Sequence, residues 1–251
     1  MIQDQLRRWP SRGSVGGVKV DPTAARRSHP QTSKPTGLLI QIMACWSGAA
    51  DRGAGLERED SMDVLEAIRG RRAVRDYTDT APSEAVIRSL IDTATWAPSG
   101  VNLQPWCFFL ADDRATLATF SAEAKALMLG QADEHPEMAR MRPMLASPEF
   151  NIFYNAPVLV VICATTSDEM ALKDCCLAAQ ALMLAAYAQG LGTCWIGFSE
   201  AWLNTPAGRV RLGIPTGCRA VAPIIIGYPK GPAAAPERRA PDVRHVAAGK
   251  S

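Results

Sequence analysis

At 251 residues, 47% hydrophobic and 21% charged, the chain has the make-up of an ordinary globular protein with one sizeable core. A formal net charge of +2 excludes the broad basic face of a nucleic-acid binder, so any positive charge that matters is local. Seven cysteines without a CxxC pair, and three histidines in unrelated contexts, exclude a zinc knuckle, a thioredoxin-like motif and a histidine metal centre.

Residues 1–60 differ in character from the rest of the chain. Arg7, Arg8, Arg12, Lys19, Arg26, Arg27 and Lys34 face only Asp4 and Asp21 up to position 36, and Gly, Pro, Ser and Thr interrupt each apolar run. Such a stretch cannot bury enough surface to offset its ordering entropy. It reads as a disordered extension, consistent with an upstream start codon and Met62 as an alternative beginning. An Arg- and Ser-rich, acid-poor start also resembles an organelle transit peptide.

Residues 61–251 read as one domain. Ser61 can cap a helix whose Val64, Leu65 and Ile68 recur at helical spacing until Gly70 ends it. Arg71-Arg72-Ala73-Val74-Arg75-Asp76-Tyr77 comes next as a basic connector. Pro82 and Ser83 open a second helix with Val86, Ile87, Leu90, Ile91 and Ala94 on one face. The stretch from Ala97 to Trp106 is stiffened by Pro98 and Pro105 and carries Ser99, Asn102 and Gln104, side chains suited to holding a flat polar ligand. A strand to about Ala111 succeeds it, then a helix marked by Leu117, Phe120, Ala124, Leu127 and Met128. Residues 131–156, Pro- and Met-rich with weak periodicity, read as a mobile or lid segment.

Val158 to Ala164 is a nearly continuous β-branched run, hence a central strand. From about Asp168 to Gln189 runs a helix apolar nearly all round, which calls for cover on most sides and points to a subunit interface. Its longest apolar stretch, Cys175 to Ala188, is shorter than the ~20 residues of a membrane span. Gly190 ends the helix, Thr193 to Phe198 reads as a strand, and Val221 to Tyr228 as another. After Pro232 the tail carries Arg238, Arg239 and Arg244 with little apolar content.

Arginine's planar fork fits phosphate bidentately, and a dianionic phosphate wants several such partners. Arg71, Arg72 and Arg75 near one end of the domain and Arg238 and Arg239 near the other therefore make a possible phosphate site. Gly190 to Gly197 offers exposed backbone for close approach, but Trp195 stands where a GxGxxG fingerprint needs its third glycine.

Taken in order, Arg71 to Tyr77, Ala97 to Trp106, Gly190 to Gly197 and Ile226-Gly227-Tyr228-Pro229 resemble the nitroreductase family of FMN flavoproteins, over about residues 62–245. The resemblance implies an α+β, three-layer fold with a central mixed sheet flanked by helices, in an intertwined homodimer with FMN at the interface. It also implies a cytoplasmic enzyme, with no nucleic-acid or membrane partner, that passes hydride from NADH or NADPH through flavin N5 to a nitro compound, quinone or other small acceptor. The implied mechanism is ping-pong and needs no side-chain nucleophile. By position, Arg71, Arg72 and the Ala73 backbone would hold the phosphate and ribityl chain, and Arg75 would stabilise the reduced ring. Pro98, Ser99, Asn102 and Gln104 would serve the partner's flavin. Trp195, Ile196 and Gly197 would face the ring, Asp174 would lie close to the cofactor, and Arg239 with Arg238 would complete the phosphate site. Ala73 departs from the family's usual serine, at a cost of roughly 0.5–1.5 kcal/mol for a lost neutral hydrogen bond. Relatives with the same fold fragment flavin or dehalogenate reductively, and a flavin carrier without turnover is a third reading.

Overall fold

The protein's structure, a computed structural model, describes residues 62–131 and 136–246. The extension expected over 1–60 lies outside the described residues. The elements run α1 (Val64–Gly70), α2 (Glu84–Ala94), a 3-10 turn (Gly100–Asn102), β1 (Trp106–Ala111), α3 (Arg114–Gln131) and α4 (Pro136–Ala146). They continue as β2 (Val158–Ala164), α5 (Glu169–Ala188), β3 (Gly192–Trp195), α6 (Gly197–Leu203), α7 (Pro206–Leu212) and β4 (Arg219–Gly227).

The four strands form one sheet in the order β1-β2-β4-β3. β2 is central, as its unbroken apolar run predicts, and all seven of its residues are buried. The expected mixed sheet is antiparallel at every pairing of these strands; parallel geometry enters through the isolated bridge of Ala73 to Thr193. Alternation along β2 divides the core. Val158, Val160, Ile162 and Ala164 pack with Ile87 and Leu90 of α2 and with Cys175, Ala179 and Leu182 of α5. Leu159, Val161 and Cys163 pack on the other face with Phe120 and Ala124 of α3 and Trp202 and Leu203 of α6. Helices thus cover both faces, giving the three layers.

Several expected boundaries move. Asp63, rather than Ser61, caps α1, its Oδ1 accepting the amides of Leu65 at 2.8 Å and Glu66 at 3.3 Å. The strand expected over Thr193 to Phe198 stops at Trp195, because Gly197 opens α6 and turns Phe198 into a helix. The described part of the segment expected as a lid, residues 136–156, packs onto the domain. Pro136–Ala146 is helical, and Leu145, Ile152 and Phe153 are wholly buried. Lys125 Nζ donates to the carbonyls of Ser147 and Phe150 at 2.6 and 2.7 Å, and the amide of Ile152 donates to Ser121 Oγ. These polar anchors from α3 leave no hydrophobic periodicity to read.

α5 is long and apolar enough to span a membrane by length and composition, yet its inner side is part of the core. Its outward side leaves Met170 at 52% and Leu177 at 46% exposure. Val64, Leu65 and Ile68 of α1 and Trp96, Val101 and Leu103 near the 3-10 turn are exposed as well. Gly70 lets α1 sit directly on α5: a Cβ there would overlap Tyr187 Oη.

Candidate flavin site

The basic connector is fastened on both sides. Val74 donates its amide to the Thr193 carbonyl at 2.9 Å, tying the connector to β3. Thr78 donates to the Tyr228 carbonyl at 2.8 Å and Lys230 to the Asp76 carbonyl at 3.2 Å, tying its far end to the chain beyond β4. Tyr77, buried, donates its hydroxyl to the Val74 carbonyl at 2.6 Å. Burial, more than the neighbouring Cys194, drives its phenol pKa upward, so it stays a protonated donor. Backbone contact is what lets β3 come so close: a Cβ at Gly192 would lie 2.7 Å from Val74 Cβ.

This arrangement brings the charges of Arg71 and Arg75 within electrostatic reach of Cys194, the residue before Trp195. Burial raises the Cys194 thiol, while the Arg75 charge, its hydrogen bond to the thiol, and the Arg71 charge oppose that rise. The Arg75 guanidinium also stacks 5.7 Å from the centre of the Tyr154 ring. Tyr154 and Asn155 hold left-handed backbone, at φ 53° and 52°. Nothing in the local pattern of residues 131–156 marks Tyr154; only the folded chain brings it to the connector. Arg72 turns back, its Nη1 donating to the carbonyls of Arg69 and Arg71 at the end of α1.

The second element is the stretch from Ala97 to Trp106. Ser99 Oγ accepts the amide of Gln104 at 3.0 Å, and Gln104 Nε2 donates to Asn102 Oδ1 at 3.1 Å. Val101, Asn102 and Gln104 all have positive φ, at 44°, 57° and 49°, which for a β-branched valine is a strained state. Pro98, Asn102 and Gln104 stay exposed. Asp174, 3% exposed on α5, accepts the amide of Gly100 and so holds the turn itself.

Trp195 is half-buried and Ile196 buried, with the Ile196 amide donating to the Pro223 carbonyl at 2.8 Å. Gly197 is exposed, and a Cβ there would meet nothing within 4 Å. A cavity of about 650 Å³ opens beside Gly197, lined by Ser167, Glu200, Asn204, Arg209, Cys218 and Arg219 among others. Neither this cavity nor its neighbour along Pro206 to Gly217 is lined by Arg71, Arg72, Arg75 or residues 98–104. Arg238 and Arg239 lie in the exposed tail and make no hydrogen bond or ion pair within the described residues. One chain therefore bonds the connector, through Ala73 and Val74, to β3 just before the Trp195–Gly197 main chain, while the Arg72 side chain turns back to α1; among the described residues no hydrogen bond joins the connector to the Pro98–Gln104 stretch or to the tail arginines.

The domain thus carries an arginine-bearing connector bonded to β3 just before the open main chain at Gly197, and a polar turn held by α5, on a three-layer α+β fold. The sequence model of the nitroreductase family matches residues 68–228, and the chain belongs to that family. It is 30% identical over 172 residues to a Methanothermobacter thermautotrophicus protein named as an NADH dehydrogenase/NAD(P)H nitroreductase, covering 67% of this chain and 78% of the relative. It is 28% identical to the 5,6-dimethylbenzimidazole synthase of Rhodospirillum rubrum, over 68% and 83% of the two chains. Among solved structures, an FMN-bound nitroreductase from Desulfitobacterium hafniense superposes with a TM-score of 0.62 at 25% identity, covering 74% of this chain and 99% of that one.

Proposed function

We propose that the chain is an FMN-dependent NAD(P)H oxidoreductase that reduces nitro compounds, quinones or related small acceptors, and that it works in the cytoplasm as a homodimer. The observation that carries this reading is the bond from Val74 to Thr193, which makes the arginine cluster and the Trp195–Gly197 backbone one unit. When bound, FMN supplies the two-electron chemistry, taking hydride from NAD(P)H and delivering the electrons to the acceptor in alternate half-reactions.

The residues present fit that group. Arg71 and Arg72 provide forked donors for the phosphate, Arg72 by releasing its carbonyl contacts, and the tail arginines Arg238 and Arg239 add to them. Ala73 offers no hydroxyl, and its main chain serves instead as the bridge to Thr193. Arg75, stacked over the Tyr154 ring, supplies a cation for the charge that a reduced ring carries. The open main chain at Gly197 admits a planar ligand without a side-chain clash. Pro98, Ser99, Asn102 and Gln104 serve the site of the second copy; this stiff, strained and exposed stretch lines neither the cavity beside Gly197 nor its neighbour along Pro206 to Gly217.

The test is direct. Purified full-length protein with FMN should be yellow, bleach anaerobically with NADH or NADPH, and recover its colour on addition of a nitroaromatic or quinone. Protein that remains colourless after incubation with FMN overturns the assignment, and bleaching without recovery by any acceptor overturns turnover.

A further inference from the structure

The arginines of the connector are held in different ways. Arg72 gives its Nη1 to the carbonyls of Arg69 and Arg71. Arg75 is exposed and joins no ion pair among the described residues, and the carboxylate next to it, Asp76, is paired with Lys230 Nζ at 3.4 Å. What lies under the Arg75 guanidinium is an aromatic face. Its Cζ stands 5.7 Å from the centre of the Tyr154 ring, inside the ~6 Å over which a ring's quadrupole attracts a cation.

The ring is itself built into place. Tyr154 has left-handed backbone at φ 53°, an outlier for a bulky side chain that persists only where its surroundings hold it. The turn around it supplies that hold. Tyr154 donates its amide to the Asn151 carbonyl at 2.8 Å, Phe153 donates to Asn151 Oδ1 at 2.8 Å, and Asn151 Nδ2 donates to Asn155 Oδ1 at 3.1 Å. Ile152 and Phe153, just before it, are wholly buried. The Phe150 ring meets the Tyr154 ring edge-on, with 5.8 Å between centres and 81° between planes. Lys125 of α3 fixes Phe150 in turn, donating to its carbonyl at 2.7 Å with Nζ 5.9 Å from its ring centre. A line of contacts therefore runs from α3 through two aromatic rings to a cation without a carboxylate partner.

We propose that Tyr154 is a positioning residue of the flavin site: its ring face fixes the Arg75 guanidinium and thereby sets how strongly the protein favours reduced over oxidised flavin. This deepens the flavin assignment and rests on it, through Arg75 as the cation beside the reduced ring. A cation held close to the ring favours the form that carries negative charge, whereas an arginine free to swing into water is screened and favours it less. The kind of partner matters as well. A carboxylate would hold Arg75 more tightly but would cancel its field at the flavin. A neutral ring holds the guanidinium and leaves its charge whole.

The midpoint potential of bound FMN tests this on the full-length protein, by anaerobic reductive titration against a reference dye. Two variants remove the ring face: Tyr154→Leu keeps an apolar side chain, and Tyr154→Asn suits left-handed backbone, so a folding failure in one leaves the other, each checked by circular dichroism. Both should lower the preference for reduced flavin about tenfold, which makes the potential about 30 mV more negative for a two-electron couple. The Kd for oxidised FMN should move by no more than about threefold, because the contact acts on the charged form. Tyr154→Phe, which keeps the face and loses the hydroxyl, should match the parent. Arg75→Gln should lower the potential too, and adding Tyr154→Leu to it should lower it no further. A ring-less variant at the parent's potential, Tyr154→Phe falling as far as Tyr154→Leu, or a full further fall in the Arg75→Gln background would each overturn the proposal while leaving the flavin assignment intact. Parent protein that takes up no FMN overturns the assignment, and this inference with it.

Discussion

Asp174 Oδ2 accepts the backbone amide of Gly100 at 3.1 Å, with Oδ1 at 3.3 Å, and so fastens the stretch from Ala97 to Trp106 to α5. The same helix closes on the turn from a second direction, since a Cβ at Gly100 would lie 3.0 Å from Met170 Cγ. Each strained left-handed residue beyond Gly100 costs on the order of 1–3 kcal/mol and persists only where its surroundings hold it. The buried carboxylate is one such support.

Replacing Asp174 with Ala should leave the Gly100 amide without a partner and cost about 1–3 kcal/mol of stability. Asp174→Asn, which keeps an acceptor oxygen, should lose less. Urea denaturation measures the stability, and the recovery of free-flavin fluorescence measures FMN release. Parent-like midpoint and FMN retention in Asp174→Ala would show that the turn does not depend on this bond.

Gly192→Ala should separate β3 from the connector, because the new Cβ would overlap Val74 Cβ, Cγ1 and Cγ2 at 2.7–2.8 Å. Overpacking of this kind costs about 1–3 kcal/mol, and FMN affinity should fall with it as the arginines lose their register to Gly197. A second change, Val74→Gly, should restore part of both. If the double variant binds FMN no better than Gly192→Ala, the damage lies elsewhere than in this contact.

The parts legible in the sequence are those governed by short-range patterns. The seven-residue run of β2, the face of α2 and the capping of that helix by Ser83 follow from periodicity and local chemistry. The arginine connector and the Gly190–Gly197 stretch stand out by residue type, and the fold puts them side by side through Val74 and Thr193. Tyr154 is not legible, since its contact with Arg75 depends on long-range packing of a segment without periodicity. Asp174 stands out as a polar residue in an apolar helix, but its bond to Gly100 spans 74 residues and has no local signature. Phe198 reads as strand because β3 and α6 are both short and apolar, and only Gly197, with the space around it, divides them.

Glu200 gives a pH test. Burial raises its carboxyl above the ordinary 4.5, with Arg219 opposing the rise. The folded state therefore holds this proton more tightly than the unfolded chain does. The contribution to stability is fully present below pH 4.5 and is lost as pH climbs through the raised value. Glu200→Gln has no proton to lose, so its Tm should gain on that of the parent between pH 4 and pH 7. Arg219→Gln should move the parent's loss to higher pH. Parallel Tm profiles for parent and Glu200→Gln would contradict this placement of the carboxylate.

The assembly prediction joins the fold to the site. Met170 and Leu177 are exposed on α5 on either side of Asp174, on the same flank of the helix that holds the Gly100 turn. Fully burying one such side chain is worth about 1.5–3 kcal/mol, and charges placed there would instead be desolvated on association. Met170→Lys with Leu177→Glu should therefore yield a monomer by sedimentation, with its fold intact by circular dichroism. If Ser99 and Asn102 serve the flavin of the second copy, that monomer should lose FMN even though Arg71, Arg72, Arg75 and Gly197 are untouched. A monomer that keeps stoichiometric FMN would confine the site to one chain. A variant that remains dimeric would place the interface away from this side of α5.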